Sequence, residues 1–362
     1  MPITIDGTNG ITQAGEFNSD SSFGFKNRII NGAMVIDQRN AGASVTPTGS
    51  AYTLDRWQLS IGVASKLSVQ QSSTVPTGFK NSTLITTASA YTASAGDYLS
   101  YCTKIEGFNC ADLDWGTANA KTVTLSFWVR SSLTGTFSGA IQNSGAGRAY
   151  PFTFTISTAN TWEYETITIA GDTSGTWLTT NGIGMEVHFN LGSGSDRLGT
   201  AGAWNSNWNT GATGSVALVQ TASATMNITG CQLEVGSTAT SFDYRPYGTE
   251  LSLCQRYYYV MVSGAGSYFS NAFYYSSSHL ISAINYPVAM RTDPTLVSTT
   301  GTNFYQFYRN GSNDTLDSLT LSSNGLRSGS LQNTTDVSGT AGQAGALYAD
   351  NASCLIAFQA EL

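Results

Sequence analysis

The chain contains few side chains that could carry out acid–base or nucleophilic chemistry. Its two histidines are His188, within MEVHFN, and His279, at the start of HLISAIN, and neither has a serine, cysteine or carboxylate at motif spacing. A Ser-His-Asp triad needs such partners, so both histidines are expected to be structural. Glu163 and Glu165 lie on one side of a strand and could imitate a glycosidase pair, but adjacent carboxylates on a solvent face are commoner. We therefore predict no catalytic residues and no enzyme.

Metal-binding patterns are equally sparse. Asp112, Asp114 and Asp172 lie in loops that contain Gly or Trp and could supply oxygen ligands to calcium. No complete calcium loop surrounds them, so a role in stabilising turns is favoured. We predict no cofactor and no metal ligands, while a structural calcium stays open. The cysteines have neither disulfide nor zinc spacing, which predicts reduced, mostly buried thiols: Cys102, Cys110, Cys231, Cys254 and Cys354.

Aromatic side chains are the better candidates for function. The stretch AWNSNWNTG places two tryptophans in a loop with amides between and beside them. Tryptophan can stack on the C–H face of a sugar while amides bind its hydroxyls, so this loop is either a glycan platform or a plug that folds inward. Trp57, Trp128 and Trp162 lie on strands and are expected in the core. The candidate glycan-binding residues are Trp204, Asn205, Asn207, Trp208, Asn209 and, more weakly, Trp177.

Composition excludes several classes of protein. Only 11% of the 362 residues are charged and the net charge is −7, with no clustered Lys or Arg. Nucleic-acid binding is therefore disfavoured, because it needs a basic surface. No apolar run approaches the roughly 20 residues that span a bilayer, so no membrane insertion is expected. The N-terminus also lacks the pattern of a signal peptide.

The pattern of alternating residues predicts an all-β protein. Stretches such as KTVTLSFWVRSS and TWEYETITIAG alternate apolar and polar residues between Gly-, Ser- and Asn-rich turns. We predict an N-terminal anchor and extended segment over 1–50, a jelly-roll β-sandwich over 51–245, a linker helix over 246–258 capped by Thr249, and a smaller C-terminal β-sandwich over 259–362. Asn31-Gly32 indicates either a hairpin or an extended segment that crosses a neighbouring subunit.

Two stretches resemble a known family. NRIINGAMVIDQRNAG followed by LDRWQ, and CQLEVG followed by SFDYRPYGTELSLCQRYY, are similar to segments of bacteriophage tail-fibre and related virion proteins. The phrase NYPVAMRTDPTLV resembles their C-terminal domains. TLSFWVRSS, TWEYETITIAGDTSGTW and ITGCQLEVG resemble the jelly rolls of carbohydrate-binding modules.

The resemblance implies a trimeric tail fibre or receptor-binding protein, assembled in the host cytoplasm and carried on the virion. Residues 1–25 would then attach to other virion proteins, and the fibre would bind host cell-surface carbohydrate. Two alternatives remain: a capsid-decorating or tail-adaptor protein that binds no receptor, and a polysaccharide depolymerase. The candidate oligomer contacts are Leu251, Cys254, Tyr257, Tyr258 and Met261.

Overall fold

The chain is almost entirely β-structure, as predicted. The computed structural model describes residues 25–362 and, before them, only the backbone of β1 (Ile5–Asp6) and its antiparallel partner β2 (Gly10–Ile11). Strands account for 42% of the described residues, which contain one α-helix, α1 (Tyr247–Gln255). Two compact units result, Met1–Glu250 and Leu251–Leu362. The rest of the predicted attachment segment, residues 1–25, lies outside the described residues apart from Phe25.

The first unit is a jelly-roll β-sandwich of two antiparallel sheets. One sheet contains β3 (Ala51–Leu54), β4 (Trp57–Ile61), β7 (Leu99–Glu106), β9 (Gly135–Gln142), β10 (Ala149–Ile156) and β12 (Ile183–Asn190). The other contains β5 (Leu67–Ser72), β6 (Ser82–Thr87), β8 (Val123–Ser131), β11 (Glu163–Ile169) and β15 (Thr225–Val235). The spatial orders are β10-β9-β12-β7-β4-β3 and β11-β8-β15-β6-β5.

Shorter elements complete this unit. A parallel pair joins β13 (Leu198–Gly199) to β14 (Gly211–Ala212). The described residues of this unit also form four short 3-10 helices, at Gly107–Asn109, Ala111–Leu113, Ser195–Arg197 and Leu218–Gln220.

The core lies between the two sheets because the strands alternate. In β4, Trp57, Leu59 and Ile61 are buried, while the residues between them are half-buried. Phe127 on β8 packs edge-to-face on Phe189 of β12, with ring centroids 4.9 Å apart. Since β8 and β12 belong to different sheets, this pair closes the sandwich, and the prediction that Trp57 is a core residue is confirmed.

The two motif stretches of the sequence interlock in the structure. Asn27 Nδ2 donates to the carbonyl of Cys231 at 3.0 Å, although the two residues are 204 positions apart. The Cys231 amide in turn donates to the carbonyl of Gly32 at 2.9 Å. Ile29 and Met34 are fully buried in the core of the sandwich. Residues 29–33 form turns and not a hairpin of strands. Because Ile29 and Met34 belong to the core of the sandwich, this segment packs on the sandwich of its own chain.

The second unit has two further antiparallel sheets. The smaller contains β16 (Tyr258–Ser263), β19 (Thr295–Ser298) and β25 (Leu355–Gln359), in the order β16-β25-β19. The larger contains β17 (Ser267–Ser276), β18 (His279–Asn285), β20 (Tyr305–Arg309), β21 (Ser312–Leu316), β22 (Thr320–Ser322), β23 (Ser328–Asn333) and β24 (Ala344–Ala349). Its order is β21-β20-β24-β17-β18-β23-β22.

The helix and the cysteines can be compared with the predictions directly. The amides of Thr249 and Glu250 donate to the Pro246 carbonyl at 2.9 and 3.0 Å, so the helix begins before Thr249 and the predicted cap is wrong. All five cysteines are free and buried, which confirms their prediction. Within the described part of the chain, no helix is both long enough and apolar enough to cross a bilayer.

Candidate functional site

The outer face of the five-stranded sheet carries an open groove lined by aromatic rings. Its volume is about 490 Å³. We call it the aromatic groove, and its lining consists of Thr77, Gly78, Phe79, Ser126, Trp128, Tyr164, Gly230, residues 239–242 and Tyr244.

The floor of the groove is built by three neighbouring strands. Trp128 on β8 is the cross-strand partner of Tyr164 on β11, and their ring centroids are 5.2 Å apart. Gly230 lies at a register break in β15 with φ of 63°. A Cβ there would stand 2.7 Å from the ring of Phe79 and 3.1 Å from that of Trp128. Glycine is therefore required at this position for both rings to pack against β15.

One wall of the groove is a cluster of three rings. Phe79, Phe242 and Tyr244 lie with ring centroids 4.8 to 5.4 Å apart. The Tyr244 hydroxyl donates to the Gly78 carbonyl at 2.5 Å, which closes the wall. Burial raises the pKa of Tyr244, so this hydroxyl stays protonated.

A buried carboxylate holds that wall in place. Glu234 is 2% exposed, and its oxygens accept from the Thr240 amide at 2.9 Å, from the Thr240 hydroxyl at 2.6 Å and from Gln232 Nε2 at 2.8 Å. Gln232 also accepts from the Asp243 amide at 2.8 Å. Hydrogen bonds to a charged group contribute about 1.5–3 kcal/mol each, so residues 240–243 form a rigid wall.

The chemistry of the groove is stacking and neutral hydrogen bonding. Tyr164 and Tyr244 are 44% and 56% exposed, so much of their ring surface faces solvent. The exposed Ser241 supplies a hydroxyl, whereas Ser126 is buried and the Thr240 hydroxyl is bound to Glu234. No charged side chain is found among the described lining residues. Such a surface can bind a flat, hydroxyl-rich molecule, but it lacks an acid–base pair.

Sequence reasoning missed this site, and the prediction that Trp128 belongs to the core is wrong. In TLSFWVRSS, Leu125, Phe127 and Val129 are fully buried, so Trp128 shares its face with Ser126 and Arg130. That period-two pattern was available in the sequence and points Trp128 outward. Phe79 and Phe242, which lie outside the strands, give no such signal.

The predicted tryptophan loop is divided between two environments. Trp204 packs edge-to-face on Trp115 and Trp177 at 5.3 and 5.6 Å, and its Nε1 donates to the Ala170 carbonyl at 2.8 Å. Trp177 is 8% exposed and also contacts Trp115. Trp204 therefore folds inward, as in the second of the two alternatives for this loop. Glycan binding by this loop stays a prediction.

The other residues of the loop are mostly engaged within the chain. The guanidinium of Arg197 lies 4.0 Å from the ring centroid of Trp208, and Tyr98 packs on the same residue at 5.4 Å. Asn205 exchanges backbone hydrogen bonds with Ala149 and accepts through Oδ1 from the amide of Asn207. Asn209 is 2% exposed, whereas Asn207 is exposed. Trp204 and Trp208 are themselves half-buried, so part of each residue remains open to solvent.

The candidate carboxylates are held by basic or backbone partners. Asp112 pairs with Arg28 and Asp172 with Arg148, both at 2.7 Å, and Asp114 is 3.9 Å from Lys121. No cluster of three His, Cys, Asp or Glu side chains that could hold a metal occurs in the described chain.

The two glutamates on β11 differ in their surroundings. Glu163 accepts from the amides of Ser157 and Thr158 at 2.9 Å, which ties it to the turn after β10. Burial and the charge of Glu163 raise the pKa of Glu165.

His188 has partners that sequence spacing did not reveal. Its Nδ1 is 3.0 Å from Ser100 Oγ and its Nε2 is 2.9 Å from Glu186 Oε2. Burial opposes protonation, whereas Cys102 and Glu186 favour it and raise the pKa of His188 to about 9. Ser100 and His188 are 0% and 2% exposed, so the serine and the histidine are closed to solvent, whereas Glu186 is half-buried.

The candidate oligomer contacts lie around the end of α1. Cys254, Tyr257 and Tyr258 are buried, with exposures from 0% to 3%, whereas Leu251 and Met261 are half-buried. Of these five residues, Leu251 and Met261 therefore have the side-chain surface that could contact another copy of the chain. Association itself stays a prediction.

Comparison with known proteins gives structural likenesses only. No protein-family model and no curated protein matches the chain. A tailspike domain of bacteriophage CBA120, described as enzymatically active, is 12% identical over 58% of this chain and 22% of its own, with a TM-score of 0.30. A putative sugar-binding protein from Bacteroides thetaiotaomicron is 12% identical over 58% of this chain and 100% of its own, with a TM-score of 0.34.

A third likeness is a family 11 carbohydrate-binding module from Clostridium thermocellum, solved with a mixed-linked tetrasaccharide. It is 14% identical over 51% of this chain and 91% of its own, with a TM-score of 0.27. Likenesses of this strength do not establish a function, and the function proposed below rests on the chain's own residues.

Proposed function

We propose that the chain binds a neutral glycan in the aromatic groove and does not cleave it. The observation that carries this proposal is that the half-buried Trp128 and the exposed Tyr164 and Tyr244 share one groove whose described lining is uncharged. Pyranose rings present C–H faces that stack on aromatic rings, and amphipathic Tyr and Trp bury such surface while keeping a polar end available. The absence of a carboxylate or histidine from that lining favours binding over hydrolysis.

The test is removal of the groove floor. Trp128→Ala combined with Tyr164→Ala should weaken binding to soluble neutral polysaccharides at least tenfold, because truncating a central aromatic anchor costs about 2 kcal/mol or more. Binding to dextran, mannan and galactan would be measured by affinity electrophoresis and calorimetry. Phe108→Ala removes a ring that is 61% exposed outside the groove and is the matched control. Wild-type affinity in the double variant would contradict the proposal.

We further propose that this binding serves attachment of a virion to its host. Support comes from the two motif stretches that resemble tail-fibre proteins and that interlock through Asn27, Gly32 and Cys231. A homotrimer would present three grooves, and repeated weak contacts raise avidity strongly. Light scattering tests the trimer, and imaging of particles with a labelled chain tests the location. A label on the capsid would indicate the assembly role in place of attachment.

A further inference from the structure

A second polar–aromatic surface lies on the outer face of the seven-stranded sheet in the second unit. Tyr268 on β17, Tyr348 on β24 and Tyr308 on β20 occupy three adjacent strands. Their ring centroids are 5.0, 5.5 and 5.9 Å apart, and the rings are inclined to one another by 57° to 86°. We call these three residues the tyrosine cluster.

Strand alternation turns these rings to the solvent. Phe307 and Leu347, which precede Tyr308 and Tyr348, are fully buried in the core of the unit. Tyr268 is 64% exposed and Tyr308 is 38% exposed. The cluster therefore presents ring surface and hydroxyls together, which distinguishes it from a purely apolar face. Loss of solvation and the nearby Asp350 raise the pKa of Tyr308, so its hydroxyl is protonated and can donate.

Hydrogen-bonding groups are arranged beside the rings. Asn313 Nδ2 donates to Gln306 Oε1 at 2.7 Å, and Gln306 Nε2 donates to Asp350 Oδ2 at 2.5 Å. The sheet register sets this arrangement, because Gln306 is the cross-strand partner of Tyr348 and Asn313 that of Tyr308. Asn313 and Asp350 are exposed. A row of amide and carboxylate groups thus borders the tyrosine rings.

The tip of the β20–β21 hairpin adds a hollow of about 360 Å³ next to the cluster. Tyr308 and Asn313 both line it. Arg309 also lines the hollow, but its guanidinium is paired with Asp314 at 3.0 Å. The carboxylate of Asp350 is therefore the exposed charge beside the rings.

We infer that the tyrosine cluster is a second carbohydrate-binding site, and that it takes neutral saccharides. The rings stack on the C–H face of a sugar, while Gln306, Asn313 and Asp350 accept and donate hydrogen bonds to its hydroxyls. A carboxylate is a strong acceptor for hydroxyl donors, and the same charge repels uronic and sialic acids. Asp350 thus sets the preference for neutral sugars, and this site operates independently of the aromatic groove.

The test uses the full chain with the groove already disabled. In the Trp128→Ala and Tyr164→Ala background, residual binding to dextran, mannan or galactan is expected. Addition of Tyr268→Ala and Tyr308→Ala should reduce that binding at least tenfold. Tyr308→Phe should retain most of it, because the ring face remains. Asp350→Asn should increase binding to the acidic polymer alginate, an effect that a merely structural role would not produce.

A matched control is Tyr275→Ala, which removes a 67% exposed tyrosine elsewhere on β17 and should leave binding unchanged. Absence of residual saccharide binding in the groove-disabled protein would overturn the second site and leave the groove proposal standing. Unchanged binding after the tyrosine substitutions, or capture of a protein partner that saccharides do not displace, would also overturn it. Failure of the groove proposal is recognised separately, by a groove variant that keeps both the wild-type affinity and the wild-type binding stoichiometry in calorimetry.

Discussion

The close approach of Gly32 to Cys231 yields the sharpest prediction. A Cβ at position 32 would stand 2.1 Å from the Cys231 carbonyl oxygen and 3.2 Å from Asn27 Nδ2. The first of these is backbone, so Gly32→Ala cannot be accommodated by rotation of a side chain. The strand β15 and the turn over residues 29–33 must separate instead.

The loss of stability caused by Gly32→Ala can be worked out from the contacts that this separation would break. Inserting a methyl group into a packed site costs about 1–3 kcal/mol. The hydrogen bond from the Cys231 amide to Gly32 and that from Asn27 to Cys231 would be weakened, at about 1 kcal/mol each. The free energy of unfolding of the first unit should therefore fall by about 3–5 kcal/mol. For a unit of this size, 1 kcal/mol corresponds to about 2–4 °C, so the melting temperature should fall by about 10 °C.

Urea unfolding followed by tryptophan fluorescence is a suitable assay. All seven tryptophans lie in the first unit, so the signal reports on the sandwich alone. Gly49→Ala is the control, because a Cβ there meets nothing within 4 Å, and its effect should stay within about 0.5 kcal/mol. If Gly32→Ala unfolds at the same urea concentration as Gly49→Ala, the interlocking of the two motif stretches is not tight and the reasoning fails.

Two further predictions concern buried polar and aromatic groups. Trp204→Ala should destabilise the first unit by about 3 kcal/mol in thermal unfolding, because it leaves a cavity among aromatic rings. Trp208→Ala should destabilise it by only about 1 kcal/mol. Equal and negligible losses of stability in the two variants would refute the inward-folded arrangement of Trp204. The pKa of His188, raised from 6.5 to about 9, gives stability that is full below pH 6.5 and lost as pH rises through 9. The pKa of Glu186 is lowered because His188 outweighs the effect of burial, which gives stability lost as pH falls below 4.5. Glu186→Gln should reduce the fall in melting temperature between pH 7 and 10 without abolishing it, because Cys102 also raises the pKa of His188, and a variant that parallels the wild type would contradict this.

Much of the architecture was predictable because strand periodicity is a local property. The alternation in β4 and β8 identifies buried positions without knowledge of the partner strand, and the all-β class and the buried free thiols follow from the same local patterns and spacings. The turn over residues 29–33 was not predictable as such, since Asn31-Gly32 suits a hairpin equally well and only contact with β15 decides between them.

The sequence by itself determined which residues share a face of each strand, and hence a sandwich with a tryptophan-containing core. Only the tertiary structure decided which rings meet. Phe79, Trp128, Tyr164 and Tyr244 come from four separate parts of the chain and converge because β8, β11 and β15 are neighbours and residues 239–244 cross their outer face. Trp204 turns inward because Trp115 and Trp177 fill the space around it. Loops have no period, so the direction of a side chain there depends on long-range packing that a local pattern does not contain.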